Sequence, residues 1–427
     1  MTDDATLDDL VDADSATERF RAAGLTLTNA EPDQIRHKQG ETTVIAYRFT
    51  LPDGDHTWGY AHWCVRSERA GEIHSKAMTL RPRPSPIGTT VHRLDRRTVL
   101  FGFPNDMRLR TLRWYVDPRK LKRSLADLVG PAERISGGRS RVEILRYKPE
   151  RRVVARVELT TVDGTSRPLL LRYGTRREAG RLAAIATHLR EHGTATPEPI
   201  AQLDGDRVAV DRFIDGEPMR DVIRTVGADG AELGAALVRF HTTPAPRALE
   251  RRTIGTELDK ARAGLAGLAA WAPALTGAAT ALADLLARSR PDDPRAEVLL
   301  HGDLHSNNLL VHRDAISFVD LERVAVGPAA VDLGYFRAHA IALSIRRPGW
   351  SPTALGHADA MIERYRMLAG PIADRALAWH AAIGLVDQAL LVTRHLEGNW
   401  SHTGAELLAA ARGQLDAGAR ALSVATR

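Results

Sequence analysis

The feature that most constrains this chain is a run of polar residues that interrupts short apolar segments in its C-terminal half. The run reads His301-Gly302-Asp303-Leu304-His305-Ser306-Asn307-Asn308, and Phe318-Val319-Asp320 follows it. The apolar segment Val298-Leu299-Leu300 directly precedes the run, which predicts a buried strand that delivers Asp303 to a loop.

Two further apolar segments predict how the ends of this region meet. Leu309-Leu310-Val311 and the stretch from Ile316 to Val319 have the composition of strands, and His312-Arg313-Asp314-Ala315 lies between them as a turn. Because a hairpin brings its ends together, we expect Asn308 and Asp320 to reach a common ion.

The region supplies a carboxylate, a carboxamide and a second carboxylate, in that order. Phosphoryl transfer from a nucleotide uses such groups: one carboxylate orients and deprotonates the acceptor hydroxyl, and amide and carboxylate oxygens hold the metal. Hard oxygen ligands suit Mg²⁺ better than zinc or copper. Taken singly, Asp303 and Asp320 also fit ordinary turn caps. Their combination with Asn308 at this spacing favours a kinase that acts on a hydroxyl group.

The same residues resemble a known family. His301-Gly302-Asp303-Leu304-His305 with Asn308, followed by Val319-Asp320-Leu321-Glu322, is similar to the signature of aminoglycoside phosphotransferases and related small-molecule kinases. The downstream segment from Gly327 to Leu333 matches that family's Gly…Asp-Leu segment. The resemblance covers about residues 135–427 and implies a protein-kinase-like fold with ATP bound between two lobes.

The resemblance also implies roles for individual residues. Asp303 would be the catalytic base, and Asn308 and Asp320 would be the magnesium ligands. His301 would orient the catalytic loop. Asp332 would tie that loop to a helix without taking part in the chemistry.

Length and element pattern predict an α+β protein of several domains, since 427 residues can form two or three hydrophobic cores. We expect a bilobal protein-kinase-like fold with an additional N-terminal α+β domain. The predicted parts are an accessory domain over 1–130, a small nucleotide lobe over 131–215 and a mainly helical large lobe over 216–427. The role of the accessory domain stays open between a substrate lid, a dimer surface and a buttress.

The small lobe is predicted from three successive strand patterns followed by a helix from about Arg176 to His192. The strand patterns run over Val142–Tyr147, Arg152–Leu159 and Pro168–Arg172. The turn from Tyr147 to Arg151 takes the place of the kinase phosphate-covering loop, but it contains no G-x-G-x-x-G sequence. The glycines of Ser136-Gly137-Gly138 come one strand too early.

Kinases place a cation on the third strand, where it contacts phosphate and pairs with a glutamate of the following helix. The residue at that place is Arg172, whose guanidinium can also bridge phosphate and carboxylate, and Glu178 is the candidate partner. Lys148 is an alternative phosphate contact, and an ordinary Arg172–Glu178 surface pair is the simpler reading. By the resemblance, the backbone around Asp211 and Phe213 would meet the adenine ring.

The net charge of +6 and the pI of 9.6 raise the question of a nucleic-acid partner. Basic residues crowd one segment, with Trp114 and Tyr115 among them: Arg108, Arg110, Arg113, Arg119, Lys120, Lys122 and Arg123. The stretch from Asp117 to Leu128 also has the period of an amphipathic helix, so we interpret these cations as a solvated helix face and expect no nucleic-acid partner.

The remaining composition predicts a cytoplasmic protein without a membrane partner. The N-terminus lacks an apolar stretch of signal-peptide length, and no segment reaches the eighteen or so apolar residues that span a bilayer. The single cysteine, Cys64, permits no intrachain disulfide and is expected in the core. The sequence does not indicate an oligomeric state.

Charge bears on the acceptor. From Asp215 to Glu297 the chain has twelve acidic and eleven basic residues, and from Tyr335 onward seven acidic and ten basic ones. A polycationic aminoglycoside would be attracted by a surplus of carboxylates, so a neutral hydroxylated acceptor such as a sugar is favoured. Two alternatives stay open: a metabolic sugar or amino-sugar kinase, and a catalytically silent nucleotide-binding module.

Overall fold

The computed structural model divides the chain into two compact units, and its sheets are antiparallel and open. The first unit contains Met1–Arg181, Pro199–Phe213 and Arg394–Leu396, and the second contains Leu182–Glu198, Ile214–Thr393 and Glu397–Arg427. The residues described are 4–38, 41–129, 135–136, 138–225, 230–292, 297–312, 315–395 and 399–425.

The N-terminal part of the first unit is a five-stranded sheet in the order β1-β2-β3-β5-β4, accompanied by five helices. In chain order its elements are α1 (Leu7–Val11), α2 (Ala13–Ala22), β1 (Asn29–Lys38), β2 (Thr42–Thr50), β3 (His56–Cys64), α3 (Ser67–Thr79), β4 (Val91–Arg93), β5 (Thr98–Gly102), α4 (Leu112–Tyr115) and α5 (Pro118–Val129). β2, β3 and β5 are rich in the β-branched and aromatic residues that favour strands.

A second five-stranded sheet follows, in the order β6-β7-β8-β10-β9. Its elements are β6 (Arg141–Lys148), β7 (Arg152–Thr160), β8 (Ser166–Gly174), α6 (Ala179–Glu191), β9 (Pro199–Leu203) and β10 (Val208–Arg212). The three expected strands and the helix are present in the expected order. The helix begins at Ala179, where Asp206 caps it. The Asp206 carbonyl accepts from the backbone N–H groups of Glu178 and Ala179, and its carboxylate accepts from the Gly180 N–H.

The two sheets of the first unit share one hydrophobic core. Tyr60 of β3 and Tyr147 of β6 are fully buried, with ring centroids 6.3 Å apart. Cys64 is buried in the same cluster, as the sequence predicts. The predicted boundary near residue 130 lies among residues that the structure does not describe, as does Gly137. The described N-terminal residues therefore pack on the nucleotide-lobe sheet.

Hydrogen bonds fasten the β6–β7 turn to the N-terminal sheet. The buried carboxylate of Asp106 accepts from the Tyr147 hydroxyl and from the backbone N–H of Glu150, both at 2.8 Å. The Glu150 side chain contacts Arg36 at 2.6 Å and His62 Nε2 at 3.0 Å. Burial raises the pKa of Glu150, but the hydrogen bond and charge of His62, together with Arg36, outweigh it and lower the pKa to about 2. The N-terminal sheet thus fixes this turn.

The second unit is mainly helical, with two small sheets. Its elements are β11 (Glu217–Pro218), α7 (Met219–Thr225), α8 (Gly230–Thr242), α9 (Ile254–Trp271), α10 (Thr276–Arg288), β12 (Val298–Leu300), β13 (Leu309–His312), β14 (Ala315–Phe318), β15 (Ala325–Gly327), α11 (Ala330–Arg346), α12 (Ser351–Ala369), α13 (Asp374–His395) and α14 (Trp400–Ala425). The predicted strand before Asp303 and the predicted hairpin are both present; its turn residues Arg313 and Asp314 fall outside the described residues.

One described helix, α13, is long and apolar enough to cross a membrane by length and composition. Its most apolar window is 72% buried inside the fold, where Trp379, Ile383 and Val386 pack in the core of the second unit. The expectation that no segment is apolar enough to span a bilayer is therefore wrong for α13, but burial of this extent is typical of a core helix.

Candidate active site

The polar run begins with a sharp turn immediately after β12. Gly302 has a left-handed backbone with φ of 76°, and a Cβ at this position would lie 2.1 Å from the Arg323 carbonyl oxygen. Only glycine adopts this conformation without strain and also permits the close approach. The turn therefore directs Asp303 out of the β12–β15 sheet.

A buried carboxylate stabilises this turn by accepting hydrogen bonds from its backbone. Asp332, near the start of α11, is fully buried and accepts hydrogen bonds from the backbone N–H groups of His301 at 2.7 Å and Gly302 at 2.9 Å. His241 Nε2 adds a contact at 3.1 Å, and its Nδ1 lies 2.8 Å from the Tyr365 hydroxyl. Burial opposes ionisation of Asp332, but the His241 hydrogen bond and the neighbouring charges hold its pKa below the usual value.

His301 connects the two halves of the loop. Its Nε2 donates to the Val319 carbonyl at 2.9 Å, which leaves Nδ1 as the acceptor for the Asp303 backbone N–H at 3.4 Å. The imidazole is fully buried. The ring thus fixes the backbone at Asp303, the predicted base, and at Val319, the residue before Asp320.

Asn308 and Asp320 come from opposite ends of the β13–β14 hairpin. Asn308 donates through Nδ2 to the Asp303 carbonyl at 3.0 Å, and its own carbonyl accepts from the Val319 N–H at 3.0 Å. Asp320 has a left-handed backbone with φ of 60°. The hairpin register therefore brings these two residues to one end of the sheet, as the sequence predicts.

The chemistry of this pair fits Mg²⁺. The Asn308 amide nitrogen is engaged by Asp303, so its oxygen is the atom left to face a cation, and Asp320 adds carboxylate oxygens. Within the described residues no group of three or more His, Cys, Asp and Glu side chains could hold a metal. Mg²⁺ does not require one, because it keeps several water ligands and uses one or two protein oxygens.

Asp303 is partly exposed and has a cationic neighbour. The Arg323 guanidinium lies 3.7 Å from Oδ1, and the side chains are 54% and 31% exposed. The charge of Asp303, more than any other neighbour, raises the pKa of Arg323. The pair is open to solvent, so the carboxylate is accessible to a bound hydroxyl group.

A second polar cluster lies near Arg323, on three helices of the second unit. Lys260 Nζ contacts both the Asp387 carboxylate and the Tyr335 hydroxyl at 2.6 Å, and Tyr335 donates to Asp387 at 3.0 Å. Asp387 and Tyr335 both act electrostatically on Arg323. We call Lys260, Tyr335 and Asp387 the α9–α11–α13 triad.

The cation on the third strand of the nucleotide lobe has a different partner from the one expected. Arg172 Nη2 binds Asp211 Oδ2 at 2.7 Å, whereas Glu178 lies 3.8 Å from Arg181. The predicted Arg172–Glu178 pair is therefore wrong. In the β8–β10 register Arg172 faces Ala209, so Asp211 is its diagonal neighbour on the same face, while Glu178 precedes α6.

Two other candidate nucleotide contacts have clear positions. Lys148 ends β6, and its carbonyl accepts from the Arg151 N–H across the predicted turn at 3.0 Å. Phe213 follows β10, and the Arg156 guanidinium lies 4.8 Å from its ring centroid. These positions do not establish a contact with a nucleotide. The nucleotide-binding roles therefore stay predictions for Lys148, Arg172, Glu178, Asp211 and Phe213.

Residues 131–370 match the model of the Phosphotransferase enzyme family, which covers more than half of the chain. The chain belongs to this family. It is a small-molecule phosphotransferase with a kinase-like fold, as the sequence predicts.

Among solved structures, choline kinase from Cryptosporidium parvum is similar to this phosphotransferase with a TM-score of 0.52 and 14% identity, over 70% of this chain and 95% of that one. Methylthioribose kinase from Escherichia coli is 36% identical over 64 residues, and that from Geobacillus thermodenitrificans is 40% identical over 53. These matches span 15% and 12% of this chain and only 15% and 13% of the relatives.

Sequence reasoning missed several residues around the catalytic loop of this phosphotransferase. Arg252 is buried, donates to the Gly302 carbonyl at 2.7 Å and forms two hydrogen bonds of 2.7 Å with Glu257. Arg323 and the triad were missed as well. An arginine directly after Asp320-Leu321-Glu322 is the one signal that could have drawn attention to Arg323; the others are distant in sequence and carry no local pattern.

Proposed function

We propose that this phosphotransferase is an ATP- and Mg²⁺-dependent kinase that phosphorylates a hydroxyl group of a small, neutral, polyhydroxylated acceptor of the sugar type. The observation that carries the proposal is the arrangement of Asp303: a solvent-accessible carboxylate on a rigid turn, bound through its carbonyl to the amide of Asn308.

Asp303 is assigned as the base. Its carboxylate accepts a hydrogen bond from the acceptor hydroxyl and orients the oxygen towards the γ-phosphorus. It takes the proton as the oxygen–phosphorus bond forms and the bond between the γ-phosphorus and the bridging oxygen breaks, so that ADP leaves. Because the turn is fastened by Asp332, His301 and Arg252, the carboxylate needs little reorganisation on substrate binding. The Arg323 guanidinium, 3.7 Å from Asp303 Oδ1, balances the negative charge of the base.

Asn308 and Asp320 are assigned as the residues that hold Mg²⁺. The ion, when bound, neutralises charge on the nucleotide phosphates. Asn308 has a second task, since its amide nitrogen fixes the carbonyl of Asp303. Holding the ion and positioning the base are therefore coupled through one side chain.

The α9–α11–α13 triad is assigned to acceptor recognition. Its charges cancel, because the Asp387 carboxylate is already paired with Lys260. A polycationic acceptor would have to displace that lysine, whereas neutral hydroxyl groups can hydrogen-bond to Lys260, Tyr335 and Asp387 as they stand. The partial matches to methylthioribose kinases, whose name specifies a sugar acceptor, point the same way.

The test is ADP release from ATP and Mg²⁺ with a panel of sugars, amino sugars and aminoglycosides. We expect turnover with a neutral sugar-type acceptor that falls by about 10²–10⁴-fold in Asp303→Asn, the range of general-base catalysis. Asp359→Asn, which removes an exposed carboxylate of α12, is the matched control and keeps turnover. Turnover only with polycationic acceptors would overturn the sugar assignment, and undiminished turnover in Asp303→Asn would overturn the base.

The metal assignment has its own test. Asp320→Asn should weaken Mg²⁺-dependent nucleotide binding in a titration monitored by calorimetry, because a carboxylate is exchanged for a neutral amide. An unchanged Mg²⁺ dependence would remove Asp320 from the metal site.

A further inference from the structure

A large cavity lies within the first unit. Its volume is about 1390 Å³, larger than the usual range of about 300–1000 Å³ for small-molecule pockets. Residues of both five-stranded sheets line it, from Arg36 and His62 on one side to Tyr173 and Arg207 on the other. The fold thus builds a concave space that the proposed chemistry does not use.

The lining of this cavity is strongly cationic. It contains three carboxylates, those of Glu41, Glu72 and Glu150. It contains six arginine or lysine side chains: Arg36, Arg69, Lys76, Arg108, Arg110 and Arg207. Apolar side chains are few in the wall, so the cavity suits an anion better than an apolar ligand.

Ion pairing leaves most of these cations without a carboxylate. Glu150 is shared by Arg36 and His62, and Glu72 pairs with Arg69 at 2.7 Å. In the part of the chain that the structure describes, none of Lys76, Arg108, Arg110 and Arg207 forms an ion pair. Nε of Arg207 is also buried without a hydrogen-bond partner. Among the described residues, four of the six cationic side chains in the wall are thus without an ion-pair partner.

The cavity opens on the opposite face of the nucleotide-lobe sheet from Arg172. Successive side chains of a strand point to opposite faces, and Tyr173, which lines the cavity, directly follows Arg172 on β8. Arg172 instead shares its face with Asp211. An anion in the cavity would therefore occupy a different place from a nucleotide phosphate on Arg172.

The basic segment near residue 110 now divides into two parts. All four arginines are exposed, but Arg108 and Arg110 line the cavity, whereas Arg119 and Arg123 belong to α5 and do not. A concave site with a handful of cations suits a compact polyanion, while a nucleic-acid backbone needs an extended basic stripe.

From these observations we infer that the cavity is a second ligand site, specific for a small molecule that carries two or more phosphate groups. Phosphate oxygens would be held by the guanidinium groups of Arg108, Arg110 and Arg207 and by Lys76, in the charge-assisted geometry that arginine forms with phosphates. The inference goes beyond the proposed kinase activity and does not depend on it.

The test is calorimetric titration of the full chain with tripolyphosphate at fixed ionic strength and without Mg²⁺. Wild type is compared with Arg108→Ala/Arg110→Ala, and Arg119→Ala/Arg123→Ala is the matched control because it removes the same charge from the same segment. We expect the cavity variant to weaken binding at least tenfold, the control to stay within about twofold, and Arg108→Lys/Arg110→Lys to recover part of the loss. Thermal unfolding verifies that each variant folds.

Three outcomes would overturn the site. Equal weakening in the cavity variant and the control would mean that the probe responds to overall charge. Undetectable binding to wild type would mean that the cavity holds no polyphosphate. If tripolyphosphate affinity falls in Arg172→Ala but is unchanged in Arg108→Ala/Arg110→Ala, the probe binds at the predicted nucleotide contact and not in the cavity. All of these readouts are independent of turnover, so they remain valid if no acceptor is found.

Discussion

Asn308 donates a hydrogen bond from its side-chain amide to the backbone carbonyl of Asp303, at 3.0 Å. The residue proposed to hold the metal thereby also fixes the residue proposed to act as base. The neighbouring Asn307 is exposed, so the chain offers a matched pair of asparagines.

We expect Asn308→Asp to lower turnover by about 10–100-fold, the usual effect of losing a group that orients a ligand or base. The new carboxylate keeps oxygens for Mg²⁺ but cannot donate to the Asp303 carbonyl. Steady-state kinetics against Asn307→Asp, which should stay near wild type, measures the difference. Equal kinetics in the two variants would show that the hydrogen bond has no part in turnover.

Asp332→Asn should lower the free energy of unfolding by about 3 kcal/mol at neutral pH, since it breaks a buried charged network around His241, His301 and Gly302. The folded pKa of Asp332 is depressed. Its contribution is therefore present above the unfolded value of about 3.9 and is lost as pH falls through the folded pKa. Denaturant unfolding of wild type and variant between neutral and acid pH tests this. A difference in unfolding free energy between the two proteins that grows on acidification would contradict it.

The sequence predicted the catalytic loop well because each of its elements depends on local signals. Val298–Leu300 is a short apolar strand, Gly302 permits the turn, and the hairpin between Asn308 and Asp320 follows from two apolar segments. Local sequence patterns also predicted the three strands and the helix of the nucleotide lobe, in the order that kinases have.

What the sequence missed depends on contacts between distant segments. β1 is polar and contains Pro32, so it has no strand pattern; it forms because it is an edge strand with a bulge after Pro32, where a missing N–H is tolerated. The order of strand and helix in the sequence predicts Glu178 as the ion-pair partner of Arg172. The partner in the structure is Asp211, because the β8–β10 register places it on the same face of the sheet. Arg252, which reaches Gly302 from fifty positions away, leaves no local trace.

Glu150→Gln should destabilise the first unit by roughly 3 kcal/mol at neutral pH, from the displacement of its pKa from 4.5 to about 2. The side chain is only 12% exposed, so solvent screens it little. Because the folded pKa is depressed, this stability is present above about pH 4.5 and disappears as pH falls towards 2. Glu72→Gln is the control: its pair with Arg69 is exposed and should contribute less than about 1 kcal/mol. If both variants lose a similar free energy of unfolding, the buried contacts of Glu150 contribute no more than an exposed ion pair.

Asp387→Asn should raise the KM for the acceptor about 10–100-fold and leave the KM for ATP unchanged. The carboxylate accepts hydrogen bonds from Lys260 and Tyr335, which hold the proposed recognition surface in place. Losing a hydrogen bond to a charged group should weaken acceptor binding by about 1.5–3 kcal/mol. Asp259→Asn, an exposed neighbour of Lys260 on α9, is the control. A parallel rise in both KM values would point to a general loss of structure and not to acceptor recognition.

Arg172→Met separates a phosphate contact from a structural ion pair. Arg172 binds Asp211, and burial raises the pKa of that carboxylate even with the guanidinium beside it. Removing Arg172 alone leaves a buried charge unpaired and should lower the free energy of unfolding by about 3 kcal/mol. Replacing Asp211 as well, in Arg172→Met/Asp211→Asn, should restore much of that stability, because no buried charge is left over. If Arg172 contacts phosphate, the KM for ATP stays raised about tenfold or more in the double variant, since the cation is still missing. A KM that recovers together with stability would assign Arg172 to the ion pair alone and leave Lys148 as the candidate phosphate contact.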